Sequence, residues 1–500
     1  MKSAKIITWC AWITLSIAFW GIVLLNASSE FYDLGGDSAQ YIILSESLSQ
    51  GLGYRALNYP QEPFFTHYPP VFPLLLSPII HFWGRNFYLM QLFVALTGYG
   101  SLFFIYRLFR MHIKKKDASF LTLVFATNFV FISYSAKYIL SDIPYLFVSC
   151  AALFYAAEYV KAKQLSKKGI ATLIAIVASY FTRYAGVTLF FSILIFLLLY
   201  AKQHYKKIYF IGIGFLAPFV SWNIAAKMLN PGYSYPRQFF LIDPYRPFLG
   251  TILNHPRAAA LRLIEGINYY CSVTGNALFS PLQHSVGLRD FLSLFSFVMV
   301  FSGLWLSFRK NKFCMFHYYF LAYFLMISLW PFKEGIRFIL PILPFIYYYF
   351  FEAARYITGF LSKKAMVLSF YSFFLILNLL GMPLRKDTFN DLPQAFKNFI
   401  SMHAWVKNTL PQEAILVSRK PTITYFYTHH KAILYPFTIQ PEEIWNEIIK
   451  NRAHYIITDE FSQETYFYLL PFLYTYNDKI SIVHRVGNTI LFKVKKEYLL

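Results

Sequence analysis

The sequence predicts a polytopic α-helical membrane protein that ends in a small α/β domain outside the membrane. Of its 500 residues, 57% are hydrophobic and only 14% are charged, whereas soluble domains carry about 25% charged residues. The hydrophobic residues form long runs, and the basic residues cluster between these runs. After residue 380 the composition changes, because charged residues and short β-type runs appear. These three observations define a membrane part at 1–382 and a C-terminal domain at 383–500.

Eleven apolar runs predict about eleven transmembrane segments, several of them shorter than the ~20 residues of a full span. They cover residues 6–25, 87–109, 120–135, 143–160, 170–181, 186–200, 208–228, 291–308, 313–329, 336–350 and 365–380. The pair at 170–181 and 186–200 is short and joined by Thr182-Arg183-Tyr184-Ala185. This pair forms either two thin spans or a hairpin that stops part-way through the membrane.

The basic clusters predict the orientation of the chain, because cytoplasmic loops carry the excess of lysine and arginine. The clusters lie at 107–116, 161–168, 202–207, 309–312 and 355–364. All fall on the side that alternation of the spans assigns to the cytoplasm. The N-terminus is therefore expected in the cytoplasm, with the first loop (27–86), the second long loop (229–290) and the C-terminal domain outside.

Three further features narrow the class of protein. The first apolar run is about 20 residues long, beyond the roughly 7–15 of a signal-peptide core, so we interpret it as a membrane anchor. The net charge of +22 lies in separate clusters and not in one patch, so no nucleic-acid partner is expected. The four scattered cysteines form neither a disulfide framework nor a metal motif.

The C-terminal domain reads as alternating strands and helices. Helices are predicted at 393–408 and 441–450, and strands at 414–417, 454–458, 480–483 and 489–494. In the second long loop, prolines argue against a long helix in the first part. A helix lying in the membrane interface is predicted at 255–270.

The first external loop carries Asp33 and Asp37 around the Gly35-Gly36 pair. A carboxylate just outside the membrane can act as general base toward an acceptor hydroxyl. Sugar transfer from a lipid-linked phosphate needs such a base. Aspartate is also a preferred helix N-cap, so capping of the helix that begins at Ser38 is the structural alternative for Asp37.

A second external carboxylate, Asp142, stands at the outer end of a predicted span, two residues before Pro144. Proline is frequent in the first turn of helices, so Asp142 too has helix capping as its alternative. Two carboxylates at helix entrances on one membrane face predict a shared site with Asp37 and Asp142 as catalytic residues. A shared divalent metal is conceivable, but the sequence offers no clear third ligand, so no metal or other cofactor is assigned.

Cations near the outer ends of apolar segments are candidates for binding a donor phosphate, because ionisable residues at membrane depth are rare and often functional. They are Lys137, Arg183, Arg337 and His67. Snorkelling to lipid headgroups is the alternative for the lysine and the arginines, an ion pair with Glu334 for Arg337, and a structural role for His67. Three neighbouring side chains are expected to position the substrate: Tyr68, Tyr184 and Glu334.

Several short motifs resemble the GT-C glycosyltransferases, most closely the bacterial branch of the protein O-mannosyltransferase and lipid A aminoarabinose transferase superfamily. They are Asp37-Ser38-Ala39-Gln40-Tyr41, Tyr68-Pro69-Pro70-Val71-Phe72-Pro73, Ser141-Asp142-Ile143-Pro144, Thr182-Arg183-Tyr184-Ala185-Gly186 and Gly335-Ile336-Arg337-Phe338-Ile339-Leu340-Pro341. The resemblance covers roughly residues 1–380. It implies a polyprenyl-phosphate sugar donor, transfer on the outer face of the membrane, and Asp37 as the base.

The chain departs from this family at two positions. Many relatives carry an acidic pair where Ser38 follows Asp37 here, and a mechanism that needs two adjacent acids is thereby put in question. Some relatives place a phosphate-binding lysine near the position of His67.

The sequence therefore predicts a glycosyltransferase of the bacterial inner membrane that transfers a sugar, with inversion, to a hydroxyl group on a glycan, lipid or protein. A membrane transporter or lipid flippase is one alternative, and a non-catalytic assembly protein that kept the scaffold is another. A transporter predicts charges inside several spans and pseudo-symmetric halves, whereas the notable charges here gather at one face.

Overall fold

The fold is known from a computed structural model, which describes residues 2–33, 35–162, 166–200, 205–230, 235–283, 285–310, 314–357, 363–382 and 385–499. Its α-helices are α1 (Lys2–Asn26), α2 (Asp37–Ser49), α3 (Val71–Trp83), α4 (Phe87–Arg110), α5 (Lys115–Ala126), α6 (Phe129–Ala136), α7 (Asp142–Lys161), α8 (Lys167–Thr182), α9 (Gly186–Tyr200), α10 (Tyr205–Leu229), α11 (Tyr235–Phe240), α12 (Pro256–Phe279), α13 (Val286–Lys310), α14 (Met315–Leu329), α15 (Leu343–Ile357), α16 (Lys363–Leu380), α17 (Gln394–Thr409), α18 (Pro421–Thr428), α19 (Pro441–Lys450) and α20 (Leu470–Thr475). Its strands are β1 (Leu416–Val417), β2 (Ala432–Ile433), β3 (Tyr455–Ile457), β4 (Ile480–Val486) and β5 (Thr489–Val494).

Each of the eleven predicted apolar runs is mainly helical in its described residues, which confirms the helical membrane part of the prediction. In the described chain, five helices are long and apolar enough to cross a membrane, or six if α5 and α6 count as one bent span. The other runs do not meet this criterion in their described residues, so the figure of about eleven spans remains a prediction. The helices at 170–181 and 186–200 are separate elements, α8 and α9.

Two interruptions of the helices have identifiable causes. Asn128 separates α5 from α6, which are bent by 58°, and its side chain accepts hydrogen bonds from the first amides of α6. Its amide group also donates to the carbonyl oxygen of Ala277 and to the hydroxyl of Tyr347, at 2.9 Å each. Before α15, residues Gly335–Ile342 form a 3-10 helix that contains Pro341. This segment carries Arg337.

The helices of the membrane part approach each other closely at two glycines. A Cβ atom added to Gly303 in α13 would lie 1.8 Å from the carbonyl oxygen of Tyr349 in α15. A Cβ added to Gly266 in α12 would lie 1.9 Å from the carbonyl oxygen of Ser328 in α14. Small residues permit such backbone contacts between membrane helices. The helix predicted at 255–270 is present as α12, which extends to Phe279 and packs against α13 and α14. Its location in the membrane interface remains a prediction.

The C-terminal domain is a five-stranded mixed sheet in the order β2-β1-β3-β5-β4. The first three strands are parallel, and the pairs β3–β5 and β4–β5 are antiparallel. The strands and helices predicted there are confirmed, but β2, α18 and α20 were not predicted. Strand β2 is only two residues long, and α18 is rich in the β-branched and aromatic residues that favour strands.

The C-terminal domain docks on the first loop through polar contacts along α2 and α18. Thr422 donates to the side-chain oxygen of Gln40 at 2.9 Å. Arg85 forms an ion pair with Glu46 and donates to the carbonyl oxygen of Phe426 at 2.7 Å. The amide of Ala432 in β2 donates to the carbonyl oxygen of Asn58 at 2.9 Å, so the loop covers this edge of the sheet.

Candidate functional site

A cavity of about 1150 Å³ lies where the first loop, the membrane helices and the C-terminal domain meet. Its lining residues fall within 35–41, 59–69, 183–187, 230–245, 323–338 and 419–437. Small-molecule sites usually measure about 300–1,000 Å³, so this cavity is large enough for more than one substrate group. Of the nine side chains predicted for the site, seven line the cavity. An eighth, Asp142, lies behind the lining and contacts two of these side chains.

Helix α2 begins at Asp37, and its N-cap is Gly36, which has a φ of 98°. The capping is done by Asp33, whose carboxylate accepts from the amides of Gly35 and Gly36 at 2.9 Å and from Ala39 at 2.6 Å. The alternative that Asp37 serves as the N-cap of this helix is therefore wrong. Because Asp33 satisfies the first amides of α2, the carboxylate of Asp37 is available to the cavity.

The carboxylate of Asp37 is held by two donors. Its Oδ1 accepts from the hydroxyl of Tyr68, and its Oδ2 accepts from Nη1 of Arg337 at 2.6 Å. Burial alone would raise the pKa of Asp37, but Arg337, Tyr68 and Arg183 together outweigh burial and lower it to about 2. Asp37 is therefore an anion at neutral pH.

Behind Asp37, Asp142 is fully enclosed and pairs with both arginines. Arg337 donates from Nε to its Oδ2 at 2.9 Å, and Arg183 donates to its Oδ1. Asp142 is the first residue of α7 and makes no capping bond to it. The two arginine side chains are only 12% and 14% exposed, so they do not snorkel to lipid headgroups. The structure thus brings both aspartates and both arginines together, with Asp142 beneath the cavity lining.

Arg337 occupies the position between the two carboxylates that a shared cation would take. Its contact with Glu334 is longer, at 3.9 Å, so the predicted ion pair with Glu334 is secondary to the two aspartates. Among the residues that the structure describes, no group of three or more His, Cys, Asp or Glu side chains is arranged to hold a metal ion. The guanidinium of Arg337 forms ion pairs with both carboxylates.

The remaining predicted side chains differ in their surroundings. Tyr184 lines the cavity, donates to the carbonyl oxygen of Thr66, and accepts from the indole of Trp222 at 3.0 Å. His67 also lines the cavity, and burial lowers its pKa to about 4 although the charge of Asp37 opposes this. Burial raises the pKa of Glu334, with Arg337 opposing. Without a ligand, burial therefore favours the uncharged form of His67 at neutral pH, and its role in binding phosphate stays a prediction.

Lys137 is not brought to the site. It lies at the end of α6 and forms an ion pair with Asp387 at 2.6 Å. It is not among the described residues that line the cavity. Its contact is with the segment that leads into the C-terminal domain.

Two cationic lining residues, Arg419 and Lys420, were missed by the sequence analysis. Arg419 pairs with Glu464 at 3.1 Å, and the Lys420 ammonium donates to the carbonyl oxygen of Gly35 at 3.3 Å. The sequence contained a signal for this pair, because Arg419 and Lys420 closely follow the strand predicted at 414–417. Ligands of α/β sheets bind at the carboxyl ends of parallel strands.

Sequence and structure comparisons bear on the whole arrangement. Residues 67–224, about a third of the chain, match the family described as dolichyl-phosphate-mannose-protein mannosyltransferase. This segment contains Asp142 and Arg183. No curated protein sequence matches the chain.

Several solved structures share the fold. ArnT from Cupriavidus metallidurans bound to undecaprenyl phosphate is 13% identical with a TM-score of 0.59, over 96% of this chain and 97% of that chain. The apo oligosaccharyltransferase of Archaeoglobus fulgidus is 13% identical with a TM-score of 0.58, over 90% and 69%. AglB from the same organism, in complex with an inhibitory peptide and a dolichol-phosphate, is 14% identical with a TM-score of 0.55, over 89% and 69%. The chain therefore shares the fold of these structures, which is the GT-C fold that the resemblance implied.

Proposed function

We propose that the protein is a membrane glycosyltransferase that moves a sugar from a polyprenyl-phosphate donor to an acceptor hydroxyl group. The observation that carries this proposal is the bridge that Arg337 makes between Asp37 and Asp142 at the wall of a large cavity. The fold supports it, since two structures with the same fold contain undecaprenyl phosphate and dolichol-phosphate. The positions of the basic clusters support an outward-facing cavity, a cytoplasmic N-terminus and an extracytoplasmic C-terminal domain.

Arg183 and Arg337 bind the donor phosphate in this proposal. A planar guanidinium matches the spacing of phosphate oxygens and is permanently charged. Asp142 acts as a positioning residue, because its two oxygens hold one arginine each. The arginines also stabilise the negative charge that develops on the phosphate as the sugar leaves.

Asp37 acts as the general base. The acceptor hydroxyl gives its proton to Asp37 while its oxygen forms a bond to the anomeric carbon. The bond from that carbon to the donor phosphate oxygen breaks, and its electron pair leaves with the polyprenyl phosphate. Attack opposite the leaving group inverts the configuration. Tyr68 holds Asp37 in place through its hydrogen bond to Oδ1.

Arg337 couples the two halves of the reaction. In the ligand-free protein it neutralises Asp37, which keeps the pKa of that carboxyl at about 2 and makes it a weak base. A donor phosphate competes for the same guanidinium. Once Arg337 turns toward the phosphate, the pKa of Asp37 rises and its Oδ2 is released to accept a proton.

The proposal is tested with purified full-length protein, membrane extract as the source of acceptor, and a panel of labelled polyprenyl-phosphate sugars. Release of polyprenyl phosphate is expected for the wild type and should fall about 10²–10⁴-fold in Asp37→Asn, the range of general-base effects. Asp387→Asn is the matched control, because this aspartate pairs with Lys137 away from the cavity. Full activity of Asp37→Asn would refute the base assignment. No sugar-dependent release by the wild type would instead favour the transporter or assembly alternatives.

A further inference from the structure

The cavity has a second cationic wall, which the C-terminal domain supplies. Arg419 and Lys420 lie on the segment between β1 and α18, at the carboxyl end of a strand that has parallel neighbours on both sides. In α/β sheets this is the edge at which ligands bind. Here that edge faces the cavity, since Arg419, Lys420 and Thr422 all line it.

Arg419 is built into this wall. Its side chain is 16% exposed, and its guanidinium lies over the rings of Phe437 and Tyr245, at 4.9 and 5.6 Å from their centroids. Glu464 pairs with it at 3.1 Å, but Glu464 is not among the described residues that line the cavity. The aromatic rings therefore hold the guanidinium at the cavity wall, and the N–H groups of a guanidinium are suited to an anionic oxygen.

The electrostatic surroundings of Lys420 also favour an anion beside its ammonium group. Burial lowers the pKa of its ammonium, and the nearby carboxylates of Asp33 and Asp37 only partly oppose this. The carboxylate of Asp33 has other donors, since it accepts from the amides of Gly35, Gly36 and Ala39. A further negative charge next to Lys420 would be stabilised by the ammonium.

This wall is chemically separate from the proposed donor site. Arg183 and Arg337 share Asp142, a residue of the membrane part, whereas Arg419 pairs within the C-terminal domain. The cavity of about 1150 Å³ exceeds the usual size of a single small-molecule site. A donor phosphate and a second anion therefore have separate sets of cations in one cavity.

We infer that Arg419 and Lys420 form an anion site for the acceptor, and that the acceptor carries a phosphate or carboxylate group close to the hydroxyl that receives the sugar. The inference rests on the proposed function, because it names the chemistry of the second substrate. The C-terminal domain then serves as the acceptor half of the site. Asp37, next to the Gly35-Gly36 segment that Lys420 contacts, lies between the two anions.

The test uses the full-length protein saturated with undecaprenyl phosphate, so that the donor site is filled. Glycerol phosphate and glucuronate are then titrated as separate phosphate and carboxylate probes, with glycerol and glucose as neutral controls. The wild type should bind one of the charged probes and neither neutral one. The double variant Arg419→Gln/Lys420→Gln should raise the Kd of that probe at least about tenfold, the loss of one charge-assisted hydrogen bond or more. Its affinity for undecaprenyl phosphate should change less than about twofold.

Two further variants guard against an effect on folding. Lys407→Gln/Lys450→Gln removes two exposed charges from the same domain and should leave probe binding unchanged. Glu464→Gln removes the competing carboxylate from Arg419 and should tighten probe binding severalfold. The inference is overturned if neither charged probe binds the wild type or if the Arg419/Lys420 variant binds as tightly as the wild type. Failure of undecaprenyl phosphate to bind would instead refute the proposed function.

Discussion

Arg337 donates a hydrogen bond to Asp37 at 2.6 Å, although 300 positions separate the two residues in the chain. The contact joins the start of α2 in the first loop to the 3-10 segment that precedes α15. One guanidinium thereby serves both the proposed base and the proposed phosphate site.

Replacing Arg337 with lysine should lower kcat/KM for sugar transfer about 10–100-fold. Lysine keeps the charge, but a single ammonium lacks the planar fork that reaches both Asp37 and Asp142. Steady-state kinetics and the Kd of polyprenyl phosphate measure the effect. Arg385→Lys is the control, because Arg385 is 82% exposed and pairs with the surface residue Asp391. Wild-type kinetics in Arg337→Lys would show that the bridge is not required.

The Asp142→Asn variant should be less stable by about 3–5 kcal/mol, the usual effect of removing one partner from a buried ion pair. The change leaves Arg183 and Arg337 without their shared buried counter-ion. Thermal unfolding of the detergent-solubilised protein measures it, with Asp387→Asn as the exposed control. An unchanged Tm together with lost activity would instead make Asp142 a residue that acts directly on the substrate.

The stability of the protein should fall as the pH is lowered from 7 to 5, partly because of His67. Its pKa in the folded protein is about 4, whereas the ordinary value is 6.5. The unfolded chain therefore binds more protons in this window, and stability that is fully present above pH 6.5 is lost toward pH 4. His67→Asn should reduce this decline by about 1–2 kcal/mol at most.

Unfolding midpoints at pH 7, 6 and 5 test the prediction for His67, with the exposed His255 replaced by asparagine as the control. His403, whose pKa burial also lowers to about 4, accounts for part of the remaining decline. An equal decline in wild type and His67→Asn would contradict the prediction.

Gly303→Ala should destabilise the membrane part by about 1–3 kcal/mol or more, because its Cβ would meet the backbone of α15 at 1.8 Å. The matched control is Gly212→Ala in α10, where an added Cβ has no described atom within 4 Å. In a helix interior that exchange favours folding by up to about 1 kcal/mol. Unfolding midpoints of both variants should therefore move in opposite directions, and a shared direction would contradict the close packing of α13 and α15.

The helical part of the fold was predictable because apolar runs of this length have few alternatives to helix in a membrane. The strands that were predicted also carried a local pattern. The elements that were missed have weak or misleading local signals: β2 is two residues long, and α18 reads TITYFYT after its proline. Their formation depends on contacts with β1 and with the first loop, which no local pattern encodes.

The candidate site was predictable as a set of unusual charges, since Asp37, Asp142, Arg183 and Arg337 all stood out at helix ends. The roles of these residues were harder to predict. The sequence did not reveal that Asp33 caps α2 or that Asp142 lies beneath the arginines, because both depend on side-chain geometry. Lys137 had the same local signal as the arginines, and only the tertiary structure separates it from them.

The hydrogen bond between Asn58 and Ala432 has a consequence for how the C-terminal domain can be handled. An uncovered edge strand offers unpaired amides and carbonyls to any neighbouring chain, and such edges promote aggregation. Separated from the first loop, residues 385–499 would expose β2 together with Phe426, which otherwise packs on Phe31 and Phe87. A separate fragment of residues 385–499 is therefore expected to self-associate. Binding should be measured with the intact chain.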